Sequence, residues 1–375
     1  MIHHGASSDD RVVVTISGEV APGYEEEFER GDRPLADYKA IADAANADLL
    51  DRRDVKERAG LLGRIIERVA GPNVAMAVQL FRERNNYDVI FTDGEQVGLP
   101  LSLLLQLSGP TRPRHVMIAH RVSAEKKRAV VRLLGLTRGV DELLVYSTSQ
   151  LQAGRDLFHR RGQRVTLIDF MVDTHFFARQ ERHLPNDDGR RPLLVTAGRE
   201  FRDYPTMIDA VAGLDVDVVV ASASPWSRRR DNAFDTSIPD NVTVTKLTQR
   251  QLRDLFDIAD MAVVPLQPVD FQAGITTILE AMAMELPIVC TTTIGQIDVV
   301  ADGHNGRYVG PGDVGAMRRA IVELLEDGDL RHGMGKAGRR LAEERADVRV
   351  YARGIAEVLA RQGEIRREKL RSLGS

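Results

Sequence analysis

The chain has 375 residues, a length that suits two domains better than a single core. With 43% apolar and 28% charged residues it is neither disordered nor low in complexity, and a net charge of −4 leaves no electrostatic footprint for nucleic acid. One cysteine rules out an internal disulfide and no apolar run is long enough to span a bilayer, so a reducing, cytoplasmic compartment is expected.

The first residues, MIHHGASSDD, lack the apolar core of a signal peptide, which makes the sequon at Asn241 irrelevant. Arginine outnumbers lysine, which reads as codon usage before function. Lys126, Lys127, Arg128 and Arg132 could touch anionic lipid peripherally, although a solvated helix face explains so short a run; no stable membrane insertion is expected.

Along the chain, short β-branched runs alternate with amphipathic stretches. Strands are predicted at 12–17, 87–92, 115–119, 142–147 and 165–170, then at 193–197, 216–221, 242–246, 261–266, 288–292 and 307–309. Helical patterns fall between them, at 36–50, 97–107, 121–134, 204–212, 250–258 and 315–325. This alternation predicts an α/β fold, with two Rossmann-like, doubly wound parallel-sheet domains facing across a cleft, because eleven strands are too many for one open sheet. The polar stretch 176–192, which contains Pro and Gly and lacks a period, has linker chemistry. The expected division is an N-terminal domain at 1–178, a C-terminal domain at 188–345 and a helical tail at 346–375 that crosses back to the first. A long loop is expected at 222–242, and Cys290, within PIVC, reads as a buried strand residue.

Ligands of open parallel sheets bind beyond the carboxyl ends of the strands. Arg199 and Arg202 follow one strand directly, in AGREFR, and offer planar forks of donors suited to a diphosphate. The run 271–306 reads as a loop, a helix, a strand and a second Gly-containing turn, with Glu280 near the start of the helix. Backbone amides at a helix N-terminus suit phosphate, and an ionised Glu just inside can accept from two sugar hydroxyls. A second reading is equally open: Thr277 and Glu280 match a capping box. His120 ends a strand where a neutral imidazole could meet a sugar hydroxyl or assist proton traffic, or be an ordinary loop histidine. Asp93 and Glu95, after another strand, sit where a carboxylate base for an acceptor would serve, or are turn formers. Gly18 and Glu19, after the first strand, are weaker acceptor-side candidates. Gly333–Gly338 fits G-x-G-x-x-G but follows no strand and lies in a helical segment, so the match is fortuitous. No metal-ligand spacing is present, and neither a metal nor another cofactor is expected.

Together these segments resemble glycosyltransferase family 4, the retaining, metal-independent "group 1" transferases of GT-B fold. ILEAMAMELPIV and VADGHNGRYVGPGD are similar to the family's EAMA and D-G-x-N-G segments, QLRDLFDIADMAVVPL to the helix and strand before them, and AGREFRDYPTMIDA to its G-R…K-G element. The N-terminal half matches weakly, in VYSTSQLQ and IDFMVDTHFF. The resemblance implies transfer of a sugar from a nucleoside-diphosphate-sugar donor to a hydroxyl of a small molecule or glycan, by a hexosyltransferase-type enzyme. It implies Gly198, Arg199 and Arg202 at the donor diphosphate, amides from Gly274, Ile275, Thr276 and Thr277, Glu280 at the ribose, and His120 beside the donor sugar. A nucleotide-sugar epimerase on the same fold and a non-catalytic sugar-nucleotide-binding protein remain as alternatives.

Three residues depart from the family pattern. Gln272 stands eight positions before Glu280 where the family has a glutamate; it can hydrogen-bond sugar hydroxyls but cannot be a carboxylate nucleophile, and Asp270 substitutes for it if the loop register differs. Arg202 replaces a lysine and so turns a point charge into a fork. Glu285 occupies a position after the EAMA helix that is usually glycine, where a left-handed backbone is expected to cost a side chain.

Overall fold

The computed structural model describes residues 10–121, 131, 135–158, 160, 162–180, 189–221 and 238–374. Most of the predicted helix 121–134 with Lys126, Lys127, Arg128 and Arg132, the middle of the stretch 176–192 and most of the loop 222–242 lie outside the described residues.

The chain forms two compact units: Met1–Tyr24 with Ala36–Asp169 and Arg349–Ser375, and Glu25–Leu35 with Phe170–Val348. The first contains β1 (Val12–Ile16), β2 (Asp48–Leu50), β3 (Val89–Asp93), β4 (Arg114–Ile118), β5 (Glu142–Val145) and β6 (Arg164–Leu167), all parallel in the order β2-β1-β3-β4-β5-β6. The second contains β7 (Leu193–Ala197), β8 (Asp217–Ala221), β9 (Val242–Thr245), β10 (Met261–Val264), β11 (Ile288–Thr291) and β12 (Gly306–Val309), again parallel, ordered β12-β11-β10-β7-β8-β9. Helices cover the faces of both sheets, so the central strands are buried on both sides and read as unbroken Val/Ile/Leu runs; β1, β5, β10 and β11 contain no exposed residue.

Each strand order reverses once. The reversal lies between β1 and β3 in the first unit and between β7 and β10 in the second. At such a switch point neighbouring loops leave the sheet in opposite directions and open a crevice at the carboxyl ends of the strands.

Strand β2 is a correction to the helix expected at 36–50. That helix runs Asp37–Ala45 and stops at Asn46, whose φ of 47° is left-handed and whose N–H caps the last turn. Asparagine tolerates this conformation better than most residues, and the chain is then free to pair Asp48–Leu50 beside β1. The helices Arg52–Arg58, Gly60–Ala70 and Pro72–Glu83 were also not anticipated.

The tail is one helix, Val348–Gly374, and from Arg349 onward it belongs to the first unit. Its Arg361 and Gln362 bond the fully buried Glu142 at 2.7 Å each, Thr166 donates to the same carboxylate at 2.7 Å, and the Tyr351 and Tyr146 hydroxyls meet at 2.8 Å. A buried carboxylate stripped of such donors typically costs ~3–5 kcal/mol, so this cluster fixes the helix in place.

The glycines of the chance G-x-G-x-x-G have a packing role. They lie in the helix Gly328–Leu341, where a Cβ on Gly335 would stand 2.0 Å from the Glu285 carbonyl and one on Gly338 3.1 Å from Met282. Close approach to the helix Ile275–Ala283 requires both. Glu285 itself has φ +57°, the left-handed conformation its position suggested. Glu285→Gly is therefore expected to be neutral or stabilising by at most about 1 kcal/mol, since glycine removes the steric cost while adding chain entropy to the unfolded state. Chemical denaturation checks this, and a clear loss of stability would show that the side chain is needed there.

No described helix is long and apolar enough to cross a membrane.

Candidate functional site

In the second unit, the loops after β7 and β10 meet at the switch point. Ala197 ends β7 and Gly198 follows with φ +96°; a Cβ there would lie 2.5 Å from Arg202 Nη2, so only glycine leaves room for the guanidinium. Phe201 is also left-handed, at φ +57°, a conformation that costs a non-glycine residue on the order of 1 kcal/mol. It is held by an edge-to-face contact with Phe271, at 5.0 Å between centroids, and its carbonyl accepts from the Gln267 amide at 2.9 Å. The Asp203 amide donates to Pro265 O at 3.1 Å, and Gln267 Nε2 donates to Arg202 O at 3.3 Å. These bonds join the two loops and point Arg202 inward.

Arg202 is buried. Its Nε donates to Ala197 O at 3.0 Å, Nη1 to Glu200 O at 3.0 Å and Nη2 to Thr277 Oγ1 at 3.4 Å. Burial lowers its pKa, with no effect on its charge near neutral pH. Among the described residues no carboxylate pairs with it. Thr277 Oγ1 also donates to Ala197 O at 3.2 Å, which ties the helix Ile275–Ala283 to the end of β7.

That helix begins at Gly274, its N-cap at φ +77°, where a Cβ would approach Val264 at 2.9 Å and Arg202 Nη1 at 3.6 Å. Ile275 is buried, Thr276 is exposed, and no side chain caps the helix. The capping-box reading of Glu280 is thereby overturned: the N-cap is Gly274, three residues before Thr277, and Thr277 has been drawn to Ala197 and Arg202. Glu280, three residues further on, is 7% exposed and among the described residues has no hydrogen bond or ion pair to its carboxyl group. Burial raises its pKa to about 8. Among the described residues a buried cation and a buried acid thus each lack a partner of opposite charge, and the cation lies at the start of the helix that carries the acid.

Arg199 is half-buried with no partner among the described residues. Gln272 is half-buried and its Oε1 has no donor. In the loop after β11, Thr293 Oγ1 and both amide atoms of Gln296 are likewise buried and unbonded. Sequence reasoning missed Gln296 and Thr293, because only their burial, a tertiary property, distinguishes them. Cys290 is fully buried in β11, and burial pushes its thiol up to about 12.

In the first unit, the acceptor-side candidates lie at the other switch point. Gly18 and Glu19 follow β1, while Asp93 ends β3 and Glu95 begins the helix Glu95–Leu105. Glu19 is exposed and engaged by Lys56 at 2.7 Å, which lowers its pKa, and Gly18 O accepts from the Arg52 amide at 3.0 Å. Glu95 is buried and accepts from the His120 amide at 3.0 Å, which sets the backbone two residues after β4. His120 Nε2 stands 3.7 Å from Asp93 Oδ1, and the ring lies 5.6 Å from that of Tyr146. Partial desolvation works against the imidazolium; the bond to and charge of Asp93, helped by Glu95 and Asp37, outweigh it and raise the His120 pKa. Asp37, at the start of its helix, was not anticipated; burial first, and then the Asp93 charge, raise its pKa to about 7. Its position at a helix start is ordinary for aspartate, so the sequence held no signal for it.

Among the described residues no group of three or more His, Cys, Asp or Glu side chains could hold a metal ion.

Residues 197–327 match the family model described as "Glycosyl transferases group 1". Over 191 residues the chain is 29% identical to a GDP-mannose-dependent alpha-(1-6)-phosphatidylinositol monomannoside mannosyltransferase of Mycolicibacterium smegmatis, covering 48% of this chain and 50% of that one. Over 67 residues it is 37% identical to the capsular polysaccharide biosynthesis glycosyltransferase CapM of Staphylococcus aureus, covering 18% of each. The matches therefore span half or less of the length of these curated relatives. The fold is similar to that of the Anabaena protein HepE in complex with UDP-glucose, with a TM-score of 0.65 at 16% identity over 94% of this chain and 100% of that one. The chain thus has the GT-B fold, and residues 197–327 of its second unit are similar to the group 1 glycosyltransferases.

Proposed function

We propose that the chain transfers a sugar from a nucleoside-diphosphate-sugar donor to a hydroxyl, with retention at the anomeric carbon and without a metal ion. One observation carries the reading: the buried Arg202, which has no ion pair among the described residues, lies against the N-terminus of the helix that holds the buried Glu280, itself without a partner among those residues. A diphosphate supplies the charge that Arg202 lacks, and a ribose diol supplies the donors that Glu280 lacks. The matched family and the UDP-glucose bound by the HepE protein support this choice of ligand class.

In this mechanism the bond from the anomeric carbon to the diphosphate oxygen breaks, and a bond to the acceptor oxygen forms on the same face. The acceptor proton passes to the departing phosphate oxygen. Arg202, Arg199 and the amides of residues 274–277 stabilise charge as it gathers on the leaving group, and they do so without rearranging. Gln272 cannot ionise, so it orients sugar hydroxyls and forms no covalent intermediate. His120, with its protonation state set by Asp93, is assigned to the protic contacts of the sugar, and Asp93 and Glu95 to the acceptor side.

A thermal-shift series with UDP, GDP, ADP and their sugars tests the reading. A ligand that binds only the folded chain raises the melting temperature as RT ln(1 + [L]/Kd), so one nucleoside diphosphate should give a concentration-dependent rise. The matching sugar nucleotide should then be slowly hydrolysed in the absence of acceptor. No shift with any nucleotide refutes the donor site. A shift without turnover on any acceptor, and without hydrolysis, identifies a binding protein instead, a result that Gln272 would explain.

A further inference from the structure

The helix Gly60–Ala70 in the first unit displays a face that the donor chemistry does not use. Leu61, Ile65 and Val69 are 75%, 53% and 83% exposed, well beyond the scattered single apolar residues of an ordinary surface. Spaced four apart, they form one stripe along the helix, and Arg64 and Arg68 share the same outward arc of about 140°. Both arginines are exposed, and among the described residues neither has an ion-pair or hydrogen-bond partner. The nearest acid in the helix, Glu67, is half-buried and lies to the side of that arc. By contrast, the neighbouring Lys56 and Arg58 are engaged by Glu19 and Glu83. Glycines with φ +60° and +87°, Gly60 and Gly71, mark the two ends of the helix.

We infer that this helix face is a docking surface for an anionic phospholipid bilayer, with Leu61, Ile65 and Val69 entering the acyl boundary and Arg64 and Arg68 meeting lipid phosphates. An apolar stripe flanked by unpaired arginines, on a helix only about 16 Å long, is the pattern of an element that lies in the plane of a membrane interface. Arginine stems can bury their methylenes while the guanidinium stays at the headgroups. A second copy of the chain fits this face poorly. Three side chains cannot bury the roughly 800 Å² per partner of a stable interface, and pairing two such faces would set arginine against arginine.

Co-sedimentation of the full chain with vesicles tests the inference. The protein should pellet with mixed phosphatidylcholine and phosphatidylglycerol, much less with phosphatidylcholine alone, and should be released by salt. Leu61→Ser with Val69→Ser should weaken binding to the mixed vesicles by about tenfold. Arg64→Gln with Arg68→Gln should remove the preference for anionic lipid. All four positions are exposed, so melting temperatures should not move. Failure to pellet with either vesicle overturns the inference, as does binding that neither double variant weakens. A dimer in sedimentation equilibrium that the serine variants dissociate would assign the face to a second copy instead. None of these outcomes depends on donor turnover.

Discussion

Replacing Arg202 by alanine should lower kcat by about 10²–10³-fold and leave KM for the donor little changed. The reason lies in when charge accumulates. A ground-state diphosphate is already anionic and has several donors to choose from, among them Arg199 and the helix amides. As the sugar departs, the phosphate oxygen facing the guanidinium gains further charge, and interactions that strengthen only then appear in kcat. Arg202 is also structural, because its bonds to Ala197 O, Glu200 O and Thr277 hold the end of β7 against the helix. Alanine removes these bonds, although Ala197 O keeps the Thr277 hydroxyl, and costs about 1–3 kcal/mol of stability, so circular dichroism must accompany the kinetics. Arg202→Lys separates the two roles: a point charge should recover much of the rate while failing to restore the fork of backbone contacts. A rise in KM with kcat intact would remove Arg202 from the leaving-group role.

Replacing Glu280 by glutamine should weaken binding of the nucleoside diphosphate by about 10- to 100-fold, the value of hydrogen bonds to a charged acceptor. It should also change the pH dependence, in a definite direction. The Glu280 pKa is raised in the folded chain from 4.5 to about 8, so across that window the native state holds a proton that the unfolded state has released. Its contribution to stability therefore declines as pH rises from about 4.5 to about 8. Nucleotide binding runs the other way. Two ribose hydroxyls donate better to the ionised carboxylate, so affinity should increase from pH 6 to 8 and binding near neutrality should release a proton. Calorimetry in buffers of differing ionisation enthalpy measures that release directly. Glu280→Gln should abolish both trends; unchanged affinity in the variant, or a flat profile in the native chain, would place the ribose elsewhere.

The contrast between these two residues shows how far the sequence could be read. That each follows the sheet, at the mouth of a strand or one turn into a helix, was legible because period and composition are local properties. The strand runs at 193–197 and 288–292 stood out for the same reason: strands covered on both faces need unbroken apolar residues. That Glu280 would be buried with no partner among the described residues was not legible. A capping box and a ligand-facing acid give the same local pattern, and the capping box was removed only by the helix starting at Gly274 and by Thr277 reaching Ala197 O, eighty residues away in sequence. Asp37 and Gln296 were missed on similar grounds, each being an ordinary residue at an ordinary place until the fold sets Asp37 near Asp93 and buries Gln296.

Local physics in the chain by itself determined the α/β class, the strand–helix alternation and the glycine-led helix start, while the left-handed position at Glu285 was expected only from the resemblance. Backbone preference and side-chain period act over a few residues and leave a readable trace. Only the tertiary structure decided where the two switch points fall, that among the described residues Arg202 has no counter-ion and Glu280 no donor, and that Leu61, Ile65 and Val69 stay exposed. Burial and charge pairing are sums over neighbours brought together from distant parts of the chain, and no short window of sequence contains them.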